Sequence, residues 1–143
     1  MKSRLLRSEP DRVFLLRLER GDAFVESLAR FAGERGVSAA RIEGIGAFAD
    51  AALGFYDLER KDYDRFSVDE DAEVLSLLGN LTRKEGEPWV HAHVTLGRRD
   101  GAAVGGHLFE GHVAATLEVF VSEAPGELIR ETDDETGLAL IGL

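Results

Sequence analysis

Apolar and polar residues alternate with a period of two along most of this chain, and one stretch shows helical spacing instead. In "DRVFLLRLER", Phe14, Leu16 and Leu18 recur at every second position, which predicts a strand over about 11–19. Beyond Gly21, Phe24, Leu28 and Phe31 share one helical face. This predicts a helix over 23–35 with Asp22 as its N-cap and Gly36 as its C-terminal stop. Further strands are expected at about 38–48, 51–57, 72–81, 88–97, 102–111 and 112–122. The charged segment "LERKDYDRFSVDEDAE" reads as an exposed loop or short extension between two of them. One main helix among many strands gives an α+β fold, a mostly antiparallel sheet with the helix packed on one face. The 143 residues suit a single domain, with its core over about 11–141. Segments such as "EVLSLL" and "ALIGL" are apolar on both strand faces, more than one helix can cover, which points to self-association.

Charge narrows the partners. Seventeen basic against 27 acidic residues leave a formal net charge of −10, a surface that repels phosphate backbones and anionic headgroups. Cysteine is absent, so disulfides, thiolate ligands and cysteine nucleophiles are excluded together. No apolar run approaches the roughly 20 residues that span a bilayer, and "MKSRLLRSEPDR" has no apolar signal core. The expectation is a soluble, cytoplasmic protein with no membrane partner.

The chemistry concentrates in "WVHAHVTLGRRDGAAVGGHL", which holds three of the four histidines. Val90, Ala92, Val94 and Leu96 point to the core, so Trp89, His91, His93 and Thr95 stand on the opposite face. Side chains two apart on a strand lie roughly 6.5–7 Å from each other, close enough for two imidazoles to share an ion. "RRDG" signals a turn, and His93 and His107 are equally far from Asp100, so an odd-length loop sets them opposite each other. Gly105-Gly106 could supply a bulge that corrects the register if the loop is one residue different. Three imidazoles without sulfur suit Zn²⁺, with Ni²⁺, Fe²⁺ or Co²⁺ as alternatives, and leave a fourth position open to water or a small ligand. His112 lies roughly 16 Å further along a continuous strand. "GHVAATLEVFV" buries Val113, Ala115, Leu117, Val119 and Val121, so His112 is assigned to the surface or a subunit contact.

Several stretches in order, "IEGIGAFADAALGFYD", "EVLSLLGNL", "GEPWVHAHVTL", "DGAAVGGHLFEG" and "RETDDETGLALI", resemble the plant-and-prokaryote-conserved (PPC) domain over roughly residues 11–141. H-x-H followed by GGHL after a D-G turn is the most specific part. The resemblance implies a compact α+β unit that assembles as a homotrimer. It also implies that His91, His93 and His107 bind a metal, zinc as a rule. In land plants the domain follows AT-hook segments with Arg-Gly-Arg-Pro cores that enter the minor groove. This chain has no such core, and with its net charge that argues against direct DNA binding.

A zinc-dependent enzyme acting on a small molecule is the rival reading, and it needs an acid or base near the ion. Glu110 and Glu118 are the nearest acids in sequence and read as solvated or interface carboxylates. Cupins also carry H-x-H, but with a glutamate ligand that "VTLGRR" lacks. "GIGAF" is an incomplete nucleotide fingerprint without a βαβ unit, and its glycines read as permitting close backbone packing. No serine lies in a G-x-S-x-G setting, and Ser76 reads as a structural hydroxyl. The sequence thus favours a homotrimeric zinc-binding module over a catalyst or a DNA-binding regulator.

Overall fold

The computed structural model describes residues 1–7 and 11–143. In chain order the elements are β1 (Lys2–Arg7), β2 (Val13–Glu19), α1 (Phe24–Arg35), β3 (Ala40–Asp57), β4 (Asp62–Val68), β5 (Ala72–Lys84), β6 (Glu87–Gly97), β7 (Ala103–Glu123), β8 (Arg130–Thr132) and β9 (Ala139–Ile141). The expected α+β fold, with a large antiparallel sheet and one main helix, is what the chain adopts.

The sheet runs β1-β2-β7-β6-β5-β3-β4, and β3 also pairs with β7. That extra pairing closes β3, β5, β6 and β7 on themselves, as in a small barrel. It is possible because β3 and β7 are each long and bent. The expected pairs of strands at 38–48 and 51–57, and at 102–111 and 112–122, are in fact two continuous strands. Their register shifts at three places, between Gly46 and Phe48, Phe48 and Asp50, and Ala52 and Leu53. Such irregularities bend a strand without ending it. They also turn Ala115, expected in the core, outward to solvent.

Gly46 is required at the crossing. Its φ is 154°, and a Cβ there would lie 2.2 Å from the Thr116 carbonyl oxygen of β7. The glycines of "GIGAF" therefore serve close backbone packing, as their spacing suggested.

Helix α1 covers one side with Phe24, Leu28 and Phe31, all buried, and Phe31 meets Phe14 of β2 edge to face at 5.1 Å. Leu16, Leu18, Ile42, Leu96, Leu117 and Val119 complete the centre of the core. Gly36 ends the helix at φ 64°, where Val37 donates to the Ala32 carbonyl at 2.9 Å. The start of the helix departs from expectation. Ala23 is the N-cap and makes no side-chain cap, while Asp22 accepts the Glu19 amide at 2.8 Å. The free amides of Val25 and Glu26 are met by Glu110, which reaches across from β7 at 2.8 and 3.3 Å. Glu110 is thus a helix cap supplied from the sheet, not a solvated carboxylate.

One further correction concerns a loop: "DYDRFSV" forms β4, paired with β3 from Asp57↔Asp62 to Ala51↔Val68. The turn about Asp100 has the odd length that needs no bulge at Gly105-Gly106, and β6 and β7 stay in register from His93↔His107 to Gly97↔Ala103.

Glu110→Ala should lower stability by about 1 kcal/mol, the typical loss of a helix cap, and Glu110→Gln by less because an acceptor remains. Urea unfolding of the two variants checks this; equal losses would show that the acceptor at the helix start is not what Glu110 contributes.

Candidate metal centre

The three histidines come together because two strand pairings place them. The turn at Glu85-Gly86 fixes β5 against β6 so that His91 faces Asn80 and His93 faces Leu78. The loop after Gly97 then sets His107 directly across from His93, as expected for an odd-length loop about Asp100. Directly paired residues share a face, so all three imidazoles leave the sheet on the side away from Ala92, Val94 and Leu96. Ring centroids lie 5.2 Å apart for His91–His93, 5.2 Å for His91–His107 and 5.6 Å for His93–His107. One ligand nitrogen from each lies within 4.8 Å of the others.

The hydrogen-bonded row continues beyond them. His107 pairs with Gly54 of β3, and Gly54 with Arg65 of β4. Any Cβ at Gly54 would meet the Phe109 ring at 2.6 Å, so this glycine makes room for the ring beside His107. Phe109 and Tyr63 flank the His107 ring at 4.8 and 4.9 Å. With Trp89, Arg65, Lys84 and Arg130 they line an open cleft of about 930 Å³ that has the histidines at its base.

Arg130 of β8 is the group that sequence reasoning missed most completely. It is only 7% exposed. Its guanidinium donates to Thr82 Oγ1 at 2.9 Å, Asn80 Oδ1 at 2.8 Å and the Ala139 carbonyl at 2.5 Å, and meets His91 Nδ1 at 3.2 Å. All four acceptors are neutral. An arginine in a short C-terminal strand carries no spacing signal that would have placed it here. Phe109 and Trp89 were legible, since each is two residues from a histidine and so shares its face.

The electrostatics favour the uncharged form of His91 and His107. Burial pushes the His107 pKa down to about 4, helped by His91, His93, Arg65 and Arg130. Burial, then Arg130 and His93, also holds His91 below its ordinary value. Neutral imidazole is the form that binds a metal. Among the described residues, His107 Nδ1 is a buried nitrogen with no hydrogen-bond partner, and such an atom is costly unless something takes its lone pair or proton. A ligand nitrogen from each of three histidines, together with an unpartnered nitrogen on His107, fits a transition-metal ion.

The other sequence candidates are elsewhere. His112 is exposed and bonds Asp50 at 2.7 Å through Nδ1, and that hydrogen bond raises its pKa. Glu118 is exposed on β7 opposite Arg17. Neither Glu110 nor Glu118 lines the cleft, where Asp62 is the one acidic residue. No helix among the described residues is long and apolar enough to cross a membrane.

Comparison with known proteins places this geometry. Among curated proteins no relative matches the chain. Solved structures do. A metal-containing protein from Archaeoglobus fulgidus is 40% identical, with a TM-score of 0.87 over 99% of this chain and 97% of its own. A plant- and prokaryote-conserved protein from Pyrococcus horikoshii is 33% identical, with a TM-score of 0.88 over 96% and 98%. A candidate DNA-binding protein from Ralstonia eutropha is 32% identical, with a TM-score of 0.86 over 91% and 90%. The profile of one family matches residues 6–125, which span β2 to β7 and so include all three histidines. The chain belongs to the Plants and Prokaryotes Conserved (PCC) domain family.

Proposed function

We propose that this protein is a homotrimeric metal-binding module in which His91, His93 and His107 hold a zinc ion, with the fourth position open to a small ligand from the cleft. The observation that carries the reading is the convergence of a ligand nitrogen from each of three histidines, beside a buried His107 nitrogen that has no partner among the described residues. The similar Archaeoglobus fulgidus protein is metal-containing, which supports the same role here. A donor set of nitrogen alone, with neither thiolate nor carboxylate, suits zinc among the divalent metals. Zinc would supply Lewis acidity to whatever enters the cleft. The chain's own part is to converge the three imidazoles, to favour the neutral form of His91 and His107, and to wall the site with aromatic rings.

The same face supports the trimer. By register Phe120, Glu43, Leu78 and His93 form one row across β7, β3, β5 and β6. Leu78, Phe120 and the nearby Ile45 are exposed. Apolar side chains gathered on a face without a helix favour burial against another copy. Direct DNA binding is not part of this reading, because the net charge of −10 opposes it and the cleft is concave.

Metal analysis of protein prepared without a polyhistidine tag should find near-stoichiometric zinc, lost in His93→Ala and kept in His112→Ala. Loss in both variants, or in neither, would refute the assignment. Because the proton and the metal compete for the same lone pairs, occupancy should decline on acidification, and only below the ordinary histidine range because burial lowers His91 and takes His107 down to about 4. The sign for the metal-free fold is the same. His107 falls from 6.5 unfolded to about 4 folded, so the folded state binds fewer protons and stability declines as pH drops through that window. Thermal melts of apo and zinc forms between these limits test it; a melting point that rises on acidification would contradict the burial of these rings. Light scattering should return three times 15.6 kDa, and a monomer would remove the trimer from the reading.

A further inference from the structure

The cleft is electrically unlike the rest of the molecule. Over the whole chain acids exceed bases by 10. The cleft reverses this, with Lys61, Arg65, Lys84 and Arg130 against Asp62 alone among the described residues. Elsewhere arginines find carboxylates: Arg12 with Glu123, Arg41 with Glu43, Arg83 with Glu127, Arg98 with Glu70. None of the four cleft cations pairs with a carboxylate among the described residues. Arg65 lies over the Phe109 ring at 3.9 Å and Lys84 over the Trp89 ring at 4.8 Å, while Lys61 donates to the Asp134 carbonyl at 2.9 Å. Arg130 is buried among neutral acceptors. A buried cation without a counter-ion is costly, and burial lowers its pKa.

Arg130 is also tied to the histidines by a single lone pair. Guanidinium can only donate, so in the 3.2 Å contact the His91 Nδ1 must accept. A neutral imidazole has one lone pair. If a metal takes it, through either ring nitrogen, His91 can no longer accept from Arg130. Metal loading therefore adds positive charge and releases an Arg130 N–H in the same place. Both changes call for an anion.

We propose that this cleft binds a small organic carboxylate with a flat apolar body. The carboxylate lies among Arg130, Arg65, Lys84 and the histidines, and the body lies against the rings of Tyr63, Phe109 and Trp89. The inference rests on the metal reading above for the charge at the histidines, but the four unpaired cations stand without it. The volume suits one metabolite-sized molecule, since small-molecule sites run from about 300 to 1,000 Å³.

The test is calorimetric titration of the full chain, with zinc content measured on the same sample. The probes are 2-naphthoate, its neutral isostere 2-naphthamide, and inorganic phosphate. Naphthoate should bind about tenfold or more tighter than the amide, and tighter than phosphate. Arg65→Gln with Lys84→Gln should remove most of that preference and leave the zinc content unchanged. These two side chains lie toward solvent, so the variant avoids the folding risk of changing Arg130. Equal binding of acid and amide, or a preference that survives the double variant, would overturn the proposal. Phosphate binding as tightly as naphthoate would overturn the flat apolar body. Zinc present without the preference refutes this inference alone. The preference without zinc refutes the metal reading alone and leaves the cations as the anion site.

Discussion

Everything in this molecule hangs on the pairing of β3 with β7. Each strand is long enough to serve two neighbourhoods. The first half of β3 pairs with β5 and its second half with β4, while β7 runs along both halves. At its other edge β7 meets β6 early and β2 late. Without the crossing the sheet would be open, with β7 separated from β3 by β6 and β5. With it, His107 on β7 is paired on one side to His93 and on the other to Gly54, and the site acquires walls from both directions. The crossing in turn needs a backbone that tolerates a carbonyl where a Cβ would be, which Gly46 supplies.

The same closure explains why the site can be positive in a negative protein. Rows of directly paired residues run around the sheet, so charge placed on neighbouring strands accumulates on one face. Arg65 reaches the histidines through Gly54 by register alone. Arg130 arrives differently, from a short strand outside the main sheet. It is held by Thr82 and Asn80 of β5 and by the Ala139 carbonyl of β9. Its neutral partners fix its position and leave its charge uncompensated. That arrangement costs stability in isolation, and the cost is recovered when an anion enters.

How much of this could be read from the sequence depends on whether the signal was local. Strand parity sufficed for His91 and His93, and loop symmetry about Asp100 for His107, because each depends on neighbouring residues in a hairpin. Phe24, Leu28 and Phe31 announced the helix for the same reason. Local logic failed where a distant element supplied the answer. Asp22 has the chemistry of an N-cap, yet Glu110 from β7 does the capping. "DYDRFSV" is polar on both faces because β4 is an edge strand, and polar edge strands resemble loops by composition. The splits placed near residues 50 and 112 mark the bends of β3 and β7, where bulges interrupt the alternation without breaking the strand. Arg130 was beyond reach, since nothing within its own segment records Thr82 or Asn80.

One consequence of the row geometry joins assembly to chemistry. Leu78 is exposed and directly paired with His93, so the two side chains stand about 5 Å apart on one face. Any surface that covers Leu78 therefore comes within a side chain's reach of the histidines. Displacing water there lowers the local dielectric, which strengthens every charge interaction in the cleft and further disfavours protonated imidazole. Association and metal binding would then reinforce each other through shared desolvation, with no conformational change needed. In a self-associated form Leu78 would in this sense be part of the site, because its burial would set how dry the site becomes.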